Sequence, residues 1–202
     1  MIKVSNYSKD GNIVKFEVSG IEVRMLNAFR RTIISGVPVM AIDRIIYYTN
    51  SSILNDELLG HRIGLIPLTT DLKTYVPQSK CPCKGEGCAR CVCKLTLDVT
   101  GPKTVYSGDF VSKDENVKPV YDKMPLVKIL DEQNVKLEAD AVLGCGSEHV
   151  KWQGGLASYE ISDKDTFNLT VESYGPLPVE ELIKKAFEVV EEKIKVLKDE
   201  VA

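Results

Sequence analysis

Met25-Leu26-Asn27-Ala28-Phe29-Arg30-Arg31-Thr32-Ile33-Ile34, inside the stretch Ile21 to Asp43, is the segment on which the fold turns. At about 100° per residue, Val23, Leu26, Ile33 and Ile34 fall on one side of a helix, with Phe29 at its edge. Gly36 follows the last periodic residue and Pro38 comes two later, which predicts the helix stop. Arg30 projects onto the same apolar side. Either it meets a carboxylate or carbonyl, because an unpaired buried charge is very costly, or its head snorkels to solvent along an apolar stem. Arg31 points elsewhere and is free to reach another chain.

The segments flanking this helix supply its cover. Residues 2–19 read as a hairpin, with Asp10-Gly11 as the turn and Val14, Phe16 and Val18 alternating with Lys15, Glu17 and Ser19. At the other end of the chain, Phe167, Leu169 and Val171 alternate with Asn168, Thr170 and Glu172. Gly175-Pro176-Leu177-Pro178 then starts a last helix with two adjacent apolar stripes. Ile183, Phe187, Val190, Ile194 and Leu197 form one stripe, and Leu182, Ala186, Val189 and Val196 run beside it. Glu180–Lys184, Glu181–Lys185 and Glu191–Lys195 are expected to pair along its outer face. Neither end brings enough cover for its own apolar face. Packed together they make one α+β domain from residues 1–44 and 161–202, interrupted by a mostly β insert over 45–160.

Within the insert, Val37 to Tyr48 reads as a strand that leads into it, and Asn55 as the N-cap of a short helix ending at Gly64. His61 on that helix has no second histidine at metal spacing and no nearby nucleophile, so catalysis is not expected there. Lys94 to Thr100 and Val135 to Ala141 alternate cleanly as strands, and Ser107 to Pro125 reads as loops around short strands. Gly144 and Gly146 follow a strand, but His149 replaces the third glycine of a dinucleotide loop and no helix pattern follows.

The sharpest chemical feature is Cys81-Pro82-Cys83, four residues, Cys88-Ala89-Arg90-Cys91, then Val92-Cys93. Five thiols within 13 residues, in C-x-C and C-x-x-C pairs, read as a thiolate metal knuckle. Gly85 and Gly87 let the chain fold back, and Lys80, Lys84, Arg90 and Lys94 offset thiolate charge. Zinc, an iron–sulfur cluster and reduced thiols without metal all remain open on spacing alone. A composition of 44% hydrophobic and 27% charged residues suits a soluble protein, and a net charge of −3 gives no broad footprint for DNA or RNA. The N-terminus carries no secretory pattern and no apolar run approaches a membrane span, so a soluble cytoplasmic protein is expected, where cysteines favour metal over disulfides.

Three segments carry a family resemblance. Asn27 to Ile34 with Gly36 to Asp43 resembles the assembly-platform subunit of cellular RNA polymerases. That family comprises bacterial alpha, the eukaryotic third-largest subunit and their archaeal counterpart, and the archaeal form is the most similar. Leu58 to Leu68 resembles the family's second signature, with Gly60 where alanine is usual. Leu143 to Gln153 resembles the third, with Val150 in place of alanine and Gly154 following in place of proline. The resemblance implies the same two-ended dimerisation domain with its inserted β domain. It implies Cys81, Cys83, Cys88 and Cys91 as ligands, with Cys93 as a spare or substitute; of the possible occupants zinc is the one expected, with an iron–sulfur cluster as the alternative. It also implies no active site in this chain, although the complex it joins is a DNA-directed RNA polymerase. Implied partners are a smaller alpha-like subunit in a heterodimer, the second-largest catalytic subunit and small zinc-containing subunits. The interface residues read for them are Phe29, Arg30, Arg31, Ile183, Phe187, Val190, Ile194 and Leu197. Some archaeal members carry a ferredoxin-like insert; between Tyr159 and Phe167 no cysteine occurs here. The rival reading is a small iron–sulfur redox protein using the cysteine cluster as an electron carrier.

Overall fold

The computed structural model describes residues 2–163 and 165–201. In chain order come β1 (Lys3–Asp10), β2 (Ile13–Ser19), α1 (Val23–Ser35), β3 (Pro38–Asn50) and α2 (Asp56–Gly64). Next are β4 (Cys93–Thr100), β5 (Lys103–Tyr106), β6 (Val111–Ser112), β7 (Pro125–Ile129) and β8 (Asn134–Cys145). The chain closes with β9 (Gly155–Asp163), β10 (Thr166–Ser173) and α3 (Val179–Val201). The fold is mixed α+β and divides into two compact units, Met1–Pro38 with Cys145–Ala202, and Val39–Gly144.

The first unit is a four-stranded antiparallel sheet in the order β1-β2-β10-β9. Both ends of the chain are joined there by β2 and β10, with Val18 opposite Phe167, Phe16 opposite Leu169 and Val14 opposite Val171. Those alternating residues form the inward row, and Val14, Leu169 and Val171 are fully buried. Leu26, Phe29 and Ile33 of α1, with Val179, Leu182 and Ala186 of α3, complete the core. Val23, placed on the apolar side by periodicity, is 46% exposed because it occupies the first turn of α1, ahead of the buried residues. Arg30 is half-buried, and its Nε donates to Asn27 Oδ1 at 3.1 Å, one turn back on its own helix.

β9 carries no alternating apolar signal, and sequence periodicity passes over it. Its inward residues are Gly155, Ala157 and Tyr159, whereas Leu156, Ser158 and Glu160 face out. Small residues are required there: a Cβ on Gly155 would lie 2.3 Å from the Glu172 carbonyl oxygen and 2.7 Å from Leu182 Cδ2. β9 pairs with β10 from Gly155 to Asp163, so by packing residues 145–160 lie in the first compact unit. On α3, Glu180 is bonded to Lys9 of β1, and Lys185 to Glu188 at 2.8 Å, in place of the (i, i+4) pairs read from the sequence.

The second unit holds a sheet ordered β3-β8-β4-β6 and a separate β5–β7 pair. β4 and β8 pair antiparallel from Cys93 opposite Ala141 to Thr100 opposite Asn134. Their inward residues, Leu95, Leu97, Val135, Leu137, Ala139 and Ala141, form the core with Leu59 and Ile63 of α2. Asn55 caps α2, its Oδ1 accepting from the Leu58 N–H at 3.1 Å. Gly60 packs beneath Tyr47, whose hydroxyl would stand 3.3 Å from an added methyl. The glycine at this position is thus matched to a tyrosine on β3.

Gly155→Ala should cost about 1–3 kcal/mol, since its methyl meets a backbone carbonyl that cannot yield without moving β10. Thermal unfolding checks this: a lowered Tm is expected, and an unchanged Tm would mean that α3 and β10 do not press on β9.

Candidate metal centre

The knuckle lies in the second unit, between a strap at residues 71–80 and β4. Asp71 opens the strap, its Oδ1 accepting from the N–H groups of Lys73 at 2.8 Å and Thr74 at 3.2 Å. Tyr75 is buried, and its hydroxyl donates to Asp114 Oδ2 at 2.9 Å. The Val76 N–H donates to the Arg90 carbonyl at 3.0 Å, fastening the strap to the far side of the cysteine loop. None of these supports was read from the sequence. Tyr75 and Asp114 lie far apart in the chain, and no local pattern connects them.

Two tight turns shape the loop. Lys84 donates to the Cys81 carbonyl at 3.0 Å, and Glu86 to that of Cys83 at 3.1 Å. The second turn sends the N–H groups of Cys91 and Val92 to the Cys88 carbonyl, each at 3.0 Å. Gly85 and Gly87 adopt φ of +91° and +85°, left-handed conformations that suit glycine.

These turns bring the Sγ atoms of Cys81, Cys83, Cys88 and Cys91 within 4.8 Å of one another. Cys81 lies 3.4 Å from both Cys83 and Cys88, Cys83 lies 3.5 Å from Cys91, and Cys88 lies 3.9 Å from Cys91. All four are free thiols. Sulfurs about 2.3 Å from one tetrahedral ion stand about 3.8 Å apart, so this set fits a single ion. A multi-iron cluster, with each thiolate on its own iron, needs wider spacing.

The loop is also prepared for anionic sulfur. The Cys83 thiol is held down to about 5, first by the Cys88 backbone N–H, then by the Cys81 side chain, with the Gly87 and Gly85 amides adding to it. Cys91 is pushed up to about 12, chiefly by burial and then by its hydrogen bonds to the other thiols. One sulfur is therefore readily ionised, and a cation would stabilise charge on the others.

Cys93 stands apart from this set. It is buried in the β4 row with Leu95 and Leu97, its Sγ 3.6 Å from Ser112 Oγ. Strand alternation carries it into the core, so it does not face the other thiols. Cys145 lies in the first unit, its thiol donating to the Gly36 carbonyl at 3.6 Å.

The residues read as interface lie on α1 and α3. Phe29 is buried and stacks on Phe187 with ring centroids 4.0 Å apart, yet Phe187 stays 57% exposed. Ile183 and Val190 are half-buried, whereas Ile194 and Leu197 are exposed, as is Arg31. The face turned inward is the other stripe, through Leu182 and Ala186.

The knuckle falls inside a segment, residues 44–159, that matches the RNA polymerase Rpb3/RpoA insert domain over more than half of the chain. The chain belongs to this family. Curated relatives named DNA-directed RNA polymerase subunit Rpo3 are similar to it. That of Pyrobaculum calidifontis is 44% identical over 161 residues, 79% of this chain and 62% of the relative. That of Methanosarcina acetivorans is 44% identical over 144 residues, 71% of this chain and 54% of the relative. That of Archaeoglobus fulgidus is 42% identical over 140 residues, 69% of this chain and 53% of the relative. The matched stretch thus spans less than two thirds of each relative's length. No helix among the described residues is long and apolar enough to cross a membrane.

Replacing Cys88 and Cys91 together by serine should abolish metal binding and loosen the second unit, whereas Cys93→Ser should leave bound metal unchanged. Elemental analysis of the purified variants, with near-ultraviolet circular dichroism, reads both. Metal lost from Cys93→Ser, or kept by the double variant, would contradict the ligand set.

Proposed function

We propose that this chain is a non-catalytic assembly subunit of a DNA-directed RNA polymerase, of the archaeal type, acting in the cytoplasm. The observation that carries this reading is the apolar face left open on α3. Phe187, Ile194 and Leu197 are 57%, 47% and 64% exposed, in line with half-buried Ile183 and Val190. They recur along one side of the helix, and an apolar stripe of this kind facing water marks an interaction surface. Burying such side chains is worth about 1.5–3 kcal/mol each before association costs. The cover proposed is the matching helices of a smaller alpha-like subunit, giving a pseudo-symmetric heterodimer. Family membership and the Rpo3 relatives support that choice.

Arg31, exposed on α1 and turned away from its buried side, is proposed to help seat the second-largest catalytic subunit, with Arg30 beside it. Small zinc-containing subunits are further proposed neighbours. No direct contact with DNA or RNA is proposed, in keeping with the net charge of −3. The knuckle is proposed to hold zinc through Cys81, Cys83, Cys88 and Cys91, as a local structural brace; the single-ion spacing of the sulfurs supports this over a multi-iron cluster. A colourless protein with stoichiometric zinc is the expected result of purification. A brown protein with a visible charge-transfer band would favour the redox reading.

Phe187→Asp with Ile194→Asp should abolish co-purification with a co-expressed alpha-like subunit, or cause aggregation, while the cysteine knuckle keeps its metal. Retention of the partner by this variant would contradict the pairing face. Arg31→Ala should keep that pairing and weaken recruitment of the second-largest subunit by about 2–5 kcal/mol, if the arginine meets a buried carboxylate. Pull-down with the recombinant large subunit measures it, and undiminished recruitment would remove the role.

A further inference from the structure

Three loops of the second unit are tied into one tip. Between β3 and α2, Ser51 donates its N–H to the Asn134 carbonyl at 3.1 Å, and the Asn134 N–H returns to Ser51 Oγ at 2.8 Å. The turn between β4 and β5 joins them through the Gly101 N–H, which donates to the Gln133 carbonyl at 2.8 Å. The approach is so close that a Cβ on Gly101 would fall 2.0 Å from the Leu130 carbonyl oxygen. Within the β7–β8 turn, the Leu130 N–H is held by Gln133 Oε1 at 2.8 Å. The tip is thus fastened by backbone groups and by the Ser51 and Gln133 side chains, while its apolar side chains are left outside. Ile53 is 86% exposed, the highest value among the exposed large hydrophobic residues, and Leu130 is 58% exposed; Pro102 in the β4–β5 turn is exposed as well.

Acidic side chains outnumber basic ones beside these residues. Asp131 and Glu132 follow Leu130 and are exposed, and Asp56 and Glu57 follow Ile53 within four residues and are exposed. Lys103 is engaged by Asp109 at 2.8 Å and Lys136 by Asp98 at 2.7 Å, whereas Lys128 on β7 is exposed. Glu132 is held at φ +63°, a conformation that costs a non-glycine residue energy, and its side chain is exposed.

We propose that this tip is a second docking surface, separate from the α1–α3 face, for a protein partner that offers an apolar socket rimmed by lysine or arginine. An apolar centre with a charged rim is the usual make-up of a protein contact. The acidic rim disfavours phosphate backbones and anionic lipid surfaces, and sets a second copy of the same tip against like charge. A basic rim on another protein is the complement that remains. The proposal rests on the assembly reading in one respect, that the partner is part of the polymerase or bound to it.

The test places a photo-reactive benzoylphenylalanine at Ile53 in the full chain, expressed in its own cell and recovered with its native partners. Illumination should give a cross-link to a protein other than this chain, mapped by mass spectrometry to a segment with apolar residues flanked by lysine or arginine. Asp131→Lys with Glu132→Lys should cut its yield at least fivefold, as should raised salt before illumination. Ile53→Asp with Leu130→Asp should lower co-purification of that same protein at least tenfold, with metal content and α3-mediated pairing unchanged. A cross-link to nucleic acid, lipid or a second copy would overturn the proposal, and so would one insensitive to charge reversal. A chain that brings down the polymerase while the Ile53 probe stays uncross-linked overturns the tip alone. A chain that brings down no polymerase subunit overturns the assembly reading itself.

Discussion

A helix packed on one sheet can turn only part of its circumference inward, and α3 is apolar over more than that part. Its inward side is set by Val179, Leu182 and Ala186, which are essentially fully buried. That choice dictates other features of the first unit. Gly155 must be small to admit Leu182, and Phe29 of α1 stacks on Phe187. It also leaves Glu191–Val201 exposed along its whole length, with Ile194 and Leu197 on it. An exposed, apolar, regularly spaced helix end is poorly explained by the stability of this chain alone. It is well explained by a second protein surface.

Much of the first unit was legible because its elements alternate strongly. Val14, Phe16 and Val18 mark β2, and Phe167, Leu169 and Val171 mark β10, each with polar residues between. That these two strands pair directly across more than 140 residues of chain follows only from the need of both ends for cover. β9 was not legible, because its inward side is occupied by glycine and alanine where a helix presses close. Arg30 shows another limit. Periodicity placed its Cβ correctly enough to raise the question of a partner, but the Asn27 amide that accepts from it is a detail of side-chain geometry. The ion pairs on α3 failed for a related reason. Spacing allowed Glu180 to meet Lys184, yet Lys9 on the neighbouring strand takes it.

The cysteine loop was legible as a candidate metal site, and which four thiols converge was less so. Spacing alone leaves five thiols in contention, and only strand alternation within β4 removes Cys93, by turning it into the core beside Ser112. The loop has almost no apolar content of its own, so its shape depends on turns, on the Tyr75 strap and on what the four sulfurs share. The amides pointed at Cys83 show how far the backbone is already arranged for negative sulfur. Such a loop stiffens one corner of the insert without asking the main core for more buried area.

The outer half of α3 is proposed to be a buried interface in the assembly. Hydrogen–deuterium exchange of its backbone amides tests this most directly, read in the isolated chain and in the polymerase purified from the cell. Rapid exchange is expected from Phe187 to Val201 in the isolated chain, where this end of the helix is open to solvent. In the assembly the same amides should be protected by at least about a hundredfold, equivalent to about 2.7 kcal/mol of added local stability. Equal exchange of this segment in both states would contradict it.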